Sequence, residues 1–115
     1  MQKFSNPENR AWHPVDVRGT RMDKCILWEG SHDTRAGLFR MPAGMCIAQH
    51  RHSRWVQVFV VEGGMRVDDA DGETHAVAAG GYYFVEPGHS HTETAMVDSV
   101  VLVIQAEDRD VMMRP

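Results

Sequence analysis

Residues 44–64 read GMCIAQHRHSRWVQVFVVEGG, and this segment carries the strongest structural signal in the chain. One residue separates His50 from His52, and a run of strand-forming residues follows before two glycines. Side chains alternate between the two faces of a β-strand, so we expect both imidazoles to point the same way. We also expect Gln57, on the strand that follows, to lie on the same side as these imidazoles.

A second segment, residues 80–93, reads GGYYFVEPGHSHTE and contains another histidine pair. His89 and His91 follow a Pro-Gly turn, and His91 opens a further predicted strand. Neutral imidazole is the commonest protein ligand for first-row transition metals. Two pairs brought together inside a barrel would place three or four imidazoles within reach of one ion. We interpret the remaining histidines as surface or turn residues: His13, His32 and His75.

The rest of the chain predicts an all-β fold. Short apolar stretches alternate with turns rich in Gly and Pro, which is typical of a sandwich or barrel. No stretch has the periodicity of an amphipathic helix, so helix should be scarce. The predicted strands cover residues 25–29, 35–41, 45–50, 55–62, 65–68, 74–77, 82–85, 91–96 and 100–105, with one short strand around 15–17.

Length and composition indicate one small domain. The chain has 115 residues and a net charge of −4. We expect an N-terminal arm or edge strand over residues 1–23, a barrel over 24–106 and a C-terminal tail over 107–115. The basic residues are scattered, so we expect neither a nucleic-acid nor a membrane partner. No membrane-length apolar run or secretory leader is visible, and two cysteines are too few for a disulfide scaffold. We therefore expect a cytoplasmic protein.

The two histidine segments resemble the two sequence motifs of the cupin superfamily. The first motif is matched with the spacing Gly-x5-His-x-His-x4-Gln-x6-Gly, although the position of Gln57 is normally glutamate in that family. The second is matched as Gly-x5-Glu-Pro-Gly-x2-His. There Glu86 stands where the family usually has proline, and Ala95 where it often has asparagine. The resemblance implies a cupin-type β-barrel, or jelly roll, with one divalent transition metal ion per chain.

The same resemblance implies a ligand set. His50, His52 and His91 would bind the ion, and Gln57 would occupy the fourth ligand position. His89 lies in the turn before the third ligand, where the family pattern does not require histidine. It is a candidate for proton transfer, a neighbour of the ligands, or simply an exposed residue.

Four further residues are candidates for the pocket around the ion. Glu93 shares a predicted face with His91 and is a candidate catalytic acid or base, with an ordinary surface acid as the alternative. A carboxylate inside a barrel needs a partner, such as a ligating imidazole N–H, a metal-bound water or Arg40. The expected pocket lining is aromatic: Trp55, Phe59 and Tyr83.

The amide in the fourth position shapes the functional hypotheses. A neutral shell leaves the ion with its full charge, so we expect Fe²⁺, with Zn²⁺, Ni²⁺, Cu²⁺ or Mn²⁺ as alternatives. We predict a dioxygenase that acts on a small dicarbonyl or enol-type metabolite. The alternatives are a metal-dependent isomerase or lyase for a sugar acid or keto acid, a metal- or metabolite-sensing module, and a barrel retained only for dimerisation.

We also expect a homodimer. The sheet edges of a small barrel need cover, and residues 1–23 are a plausible strand donor to a second subunit.

Overall fold

A computed structural model describes residues 4–30 and 32–106. The predicted all-β fold is confirmed. Within the described ranges the only helical element is a single 3₁₀ turn, Pro7–Asn9, and no helix is long and apolar enough to cross a membrane. The strands are β1 His13–Val17, β2 Thr20–Trp28, β3 Thr34–Met41, β4 Cys46–His50, β5 Val56–Glu62, β6 Gly64–Asp69, β7 Thr74–Ala78, β8 Tyr82–Val85, β9 His91–Ala95 and β10 Ser99–Ala106.

These strands form two antiparallel sheets that pack face to face as a jelly-roll barrel. The larger sheet has six strands in the order β1-β2-β3-β10-β5-β8. The smaller has four strands in the order β4-β9-β6-β7. His50 is the last residue of β4 and His91 is the first residue of β9, so both histidines belong to the smaller sheet.

The core lies between the two sheets. On β5 the sequence VQVFVVE alternates, and Val56, Val58 and Val60 are the buried side chains. They pack in one cluster with Met41 of β3 and Met65 of β6, which are also buried. Removing this apolar surface from water supplies the main stabilisation of the barrel.

The N-terminal segment belongs to the larger sheet of its own chain. β1 pairs with β2, and Val15 lies opposite Met22. β2 begins at Thr20 and continues past residue 24 to Trp28. β1 is an edge strand of the sheet. The expected tail, residues 107–115, lies outside the described residues.

Candidate metal centre

Three imidazoles come together where β4 meets β9. His50 is the last residue of β4 and lies opposite His91, the first residue of β9. His52 follows in the loop after β4. The ring centroid of His50 is 4.4 Å from that of His91 and 5.0 Å from that of His52. One ring nitrogen of each residue lies within 4.8 Å of the other two, so the three side chains can hold one metal ion.

Backbone carbonyls orient two of these rings. The Nδ1 atom of His50 lies 2.7 Å from the carbonyl oxygen of Ala48. The Nδ1 atom of His91 lies 3.3 Å from the carbonyl oxygen of His89. A carbonyl only accepts hydrogen bonds, so each Nδ1 carries the proton and each neutral ring keeps its lone pair on Nε2. In the neutral ring Nε2 can bind a metal ion, and in the protonated ring it donates a hydrogen bond to Oε1 of Glu93.

Glu93 lies directly beside these nitrogens. Its side chain is only 12% exposed, and Oε1 is 3.2 Å from Nε2 of His91 and 3.5 Å from Nε2 of His50. The hydroxyl of Tyr83 donates a hydrogen bond to Oε2. Burial by itself would raise the pKa of Glu93, but hydrogen bonds from His50, His91 and Tyr83 outweigh it and hold the pKa well below its usual range. The acid is therefore a carboxylate at neutral pH.

The same packing shifts the pKa values of three other groups in the site. Burial and the neighbouring imidazoles lower the pKa of His52 to about 4, so this ring is neutral at pH 7. Burial lowers the pKa of His91, but the hydrogen bond and charge of Glu93 reverse this and raise it above its ordinary value. Burial and the charge of Glu93 raise the pKa of Tyr83, so its hydroxyl remains a donor.

Gln57 does not join the three imidazoles. It lies on the outer face of β5, between the buried residues Val56 and Val58, and its Oε1 accepts a hydrogen bond of 2.9 Å from the hydroxyl of Tyr82. The expected common face does not follow from strand alternation, because Gln57 is five residues after His52, and an odd separation places two side chains on opposite faces of a strand. Residues 51–55 form a loop, and in β5 the even-numbered residues Val56 and Val58 are the buried ones, which leaves Gln57 on the other face.

Two of the three expected aromatic lining residues lie elsewhere for the same reason. Phe59 is 38% exposed and packs against Tyr82 on the outer face, with 4.7 Å between ring centroids. Trp55 stacks on Phe84 at 6.4 Å and shares only a small recess of about 20 Å³ with His52. Tyr83 lies inside the barrel, where it lines a cavity beside the site.

That cavity has a volume of about 320 Å³ and lies between β8 and the β6–β7 hairpin. His89 lines this cavity, and its Nε2 atom is 3.5 Å from Oδ1 of Asp69. His75 also lines it, and its Nε2 atom is 3.4 Å from Oδ2 of the same carboxylate. Asp69 lies opposite His91 in the pairing of β6 with β9.

Sequence reasoning missed Asp69 and treated His75 as a surface or turn residue. The Asp71-Gly72 turn predicts the hairpin that brings Asp69 and His75 together. The pairing of β6 with β9 is not readable from local pattern. Asp69 and His75 also form, with Glu73, a second and more exposed group of close ligand atoms.

Comparison with known proteins agrees with this architecture. The family model of the ChrR cupin-like domain matches residues 2–108. No curated protein is similar enough in sequence to count as a match. An RmlC-like cupin from Shewanella frigidimarina is 21% identical, with 97% of this chain and 96% of that chain aligned and a TM-score of 0.76.

Two structures with named activities are similarly close. The polyketide cyclase RemF from Streptomyces resistomycificus is 20% identical over 94% of this chain and 81% of its own, with a TM-score of 0.81. A predicted oxalate decarboxylase from Thermotoga maritima is 17% identical over 92% of this chain and 98% of its own, with a TM-score of 0.78. Likeness at these identities shows the fold alone. Because the family match spans nearly the whole chain and the fold agrees with it, the chain belongs to the family of ChrR cupin-like domains, within the cupin superfamily that its motifs resemble.

Proposed function

We propose that the protein is a metal-dependent enzyme that catalyses a non-oxidative reaction, an isomerisation or an elimination, on a small keto acid or sugar acid. The observation that carries the proposal is a cluster of three imidazoles, two of which contact a buried carboxylate, beside a cavity of about 320 Å³ with polar side chains in its wall. An oxygen-rich metabolite needs such hydrogen-bonding groups around it.

The residues fit a divalent transition metal ion. His50, His52 and His91 would hold it, because the Nε2 atoms of two of these rings face one point and His52 is neutral at pH 7. A divalent ion bound there would supply a Lewis acid that polarises a carbonyl oxygen of the substrate. The identity of the ion is left open by this donor set, which suits several first-row metals.

His89 is the proposed proton-transfer residue. It lines the same cavity as His91, and the carboxylate of Asp69, at 3.5 Å, stabilises the imidazolium that forms when His89 accepts a proton. Asp69 is therefore a positioning residue. Tyr83 closes the inner wall of the cavity and keeps its proton, directing it to Glu93.

The dioxygenase predicted from the sequence is the second candidate. Its motivation was a neutral shell that included Gln57, beside an aromatic lining that included Phe59, and both side chains lie on the outer face of β5. The cavity wall instead contains His75, His89 and Asp69, which favours acid–base chemistry. Three imidazoles still leave coordination positions open for a chelating substrate and dioxygen, which supports the second candidate.

The test is turnover by the metal-reconstituted protein with a panel of keto acids, sugar acids and β-diketones. We expect consumption of a keto acid or sugar acid without oxygen uptake, measured by NMR and an oxygen electrode. His89→Gln should lower kcat by about 100-fold while metal content stays unchanged. His13→Gln, on the exposed part of β1, is the matched control and should have full activity.

The other functions predict different results. Turnover that consumes one dioxygen per substrate would establish the oxygenase instead. A fully metal-loaded protein that turns over no member of the panel would favour the sensing module.

A further inference from the structure

We infer that Glu93 is the fourth protein ligand of the metal ion, supplied by β9 in place of position 57 on β5. The inference rests on the metal site of the proposed function, and it does not depend on which reaction the site catalyses. Its consequence is that the protein contains a three-histidine, one-carboxylate shell, although its first motif lacks the acid.

The distances between the donor atoms support this assignment. Metal–nitrogen and metal–oxygen bonds of roughly 2.0 to 2.2 Å, at angles between octahedral and tetrahedral, place neighbouring donor atoms roughly 2.8 to 3.5 Å apart. The Oε1 atom of Glu93 is 3.2 Å from Nε2 of His91 and 3.5 Å from Nε2 of His50. Both separations match those of ligands that share one ion.

The hydrogen-bonding pattern points the same way. Nδ1 of each imidazole faces a carbonyl, so in the neutral rings a lone pair on each Nε2 faces the carboxylate oxygen. With both rings neutral these are three acceptors in contact, so a proton or a metal ion must lie between them, and a metal ion satisfies all three acceptors at once. The second carboxylate oxygen accepts the hydrogen bond of Tyr83, which leaves Oε1 directed at the imidazoles. Metal-bound carboxylates are usually held by such a partner.

The position of Glu93 on β9 also demands a counter-charge. It is two residues beyond His91, so the two side chains share the inner face of the strand. Its cross-strand neighbours are Ile47 of β4 and Val67 of β6, both buried hydrophobic residues. Burying a carboxylate among apolar side chains is costly unless a cation compensates it. A metal ion shared with the imidazoles provides that compensation.

A carboxylate in the shell changes the expected metal preference. The bound divalent ion would carry a net charge of about +1 with its ligands instead of +2. Carboxylate oxygen suits harder ions such as Mn²⁺, so the site should accept them more readily than a neutral shell would.

The test is a titration of the metal-free, untagged protein with Co²⁺, followed by its visible absorption. We expect Glu93→Gln to weaken the Kd for Co²⁺ by at least about 100-fold and to alter the spectrum, because a ligand is lost. Tyr83→Phe should weaken binding by only about 10-fold and retain the spectrum. Gln57→Ala and Gln57→Glu are the matched controls and should leave both unchanged. Wild-type affinity and spectrum in Glu93→Gln would overturn the inference.

A second measurement does not depend on how well the variants fold. In a crystal of the Co²⁺-loaded wild-type protein, Oε1 of Glu93 should lie roughly 2.0 to 2.2 Å from the anomalous scatterer. A distance beyond about 3 Å would refute ligation. If the wild-type protein binds no Co²⁺ at all, the proposed metal site itself fails. If it binds Co²⁺ but catalyses nothing, only the proposed enzymatic function fails.

Discussion

The two oxygens of Glu93 have different partners, and this asymmetry organises the site. One faces the Nε2 atoms of His50 and His91, and the other accepts the proton of Tyr83. A carboxylate held from both sides loses little freedom when an ion binds, so the site is preorganised for a cation. Tyr83 therefore positions a ligand and does not need to contact the substrate.

The protonation of His91 predicts how metal binding depends on pH. In the metal-free protein Glu93, and to a lesser degree Asp69, raise the pKa of His91 above its ordinary value, against the effect of burial. The ion must displace that proton, so the apparent affinity should increase with pH until His91 is neutral. His52, with a pKa of about 4, is already neutral and should release no proton near pH 7.

Calorimetry in buffers of different ionisation enthalpy measures this proton release. We expect a positive release at about pH 7 that declines at higher pH. An affinity and a heat that do not change between about pH 6 and 8 would contradict the assignment of His91 as a ligand paired with Glu93.

At the scale of the strands, pairing and interruptions determine which side chains meet. The pairing of β4 with β9 contains an irregularity between Ile47 and His50, after which His50 lies directly opposite His91. The loop over residues 51–55 then carries His52 back over the same end of the smaller sheet before β5 begins in the larger one. Two strands and one loop thus supply the histidines.

The close packing of the turn between β5 and β6 can be tested by substitution. Gly63 has a φ of +83°, and a Cβ added there would lie 2.4 Å from the carbonyl oxygen of Asp98 and from Oγ of Ser99. Gly72, in the turn between β6 and β7, has a φ of +94° but nothing within 4 Å of such a Cβ. Gly63→Ala should therefore lower the free energy of unfolding by about 3 kcal/mol, and Gly72→Ala by about 1 kcal/mol.

Urea unfolding of the two alanine variants measures the difference. Since both glycines have a positive φ, the excess at position 63 isolates the close approach of the turn to residues 98 and 99. Equal losses in the two variants would show that the turn is looser than described.

At the scale of the whole molecule, the metal site connects the two sheets. The histidines and Glu93 come from the smaller sheet and its loop, whereas Tyr83 comes from β8 at the edge of the larger sheet. A bound ion that holds Glu93 in place would therefore stabilise the contact between the sheets as well as the site.

Metal binding should raise the melting temperature accordingly. A ligand present at 100 times its Kd stabilises the folded state by about 2.7 kcal/mol. For a domain of this size we expect the Tm to rise by roughly 10 °C on addition of Co²⁺, reversibly with a chelator. His52→Ala removes a half-exposed ligand from a loop and should lose most of this shift. A shift of equal size in that variant would place the ion elsewhere.

The homodimer expected from the sequence stays a prediction. Within the described chain β1 pairs with its own β2, which leaves β1 and β8 at the edges of the larger sheet. The outer face near β8 also carries the exposed aromatic side chains of Phe59, Tyr82 and Phe84. Sedimentation at micromolar concentration should give the mass of two chains, and a single species with the mass of one chain would refute the dimer.

Much of the fold follows from local pattern. Each described strand overlaps a predicted one, because the two-residue alternation and the Gly and Pro turns are properties of neighbouring residues. The resemblance to the cupin motifs also implied that His50, His52 and His91 could share an ion, and the pairing of β4 with β9 brings His50 and His91 together.

The pairing of strands that are distant in sequence decided the remaining contacts of the site. Gln57 lies on the outer face, as its odd separation from His52 requires, and the expectation that it joins the imidazoles came from the motif position and not from the alternation. The partners of Glu93 and the approach of Asp69 to His89 depend on which strands pair and in which register. Register is set by packing across the whole barrel, so only the tertiary structure shows that Oε1 of Glu93, on β9, lies beside both His50 and His91.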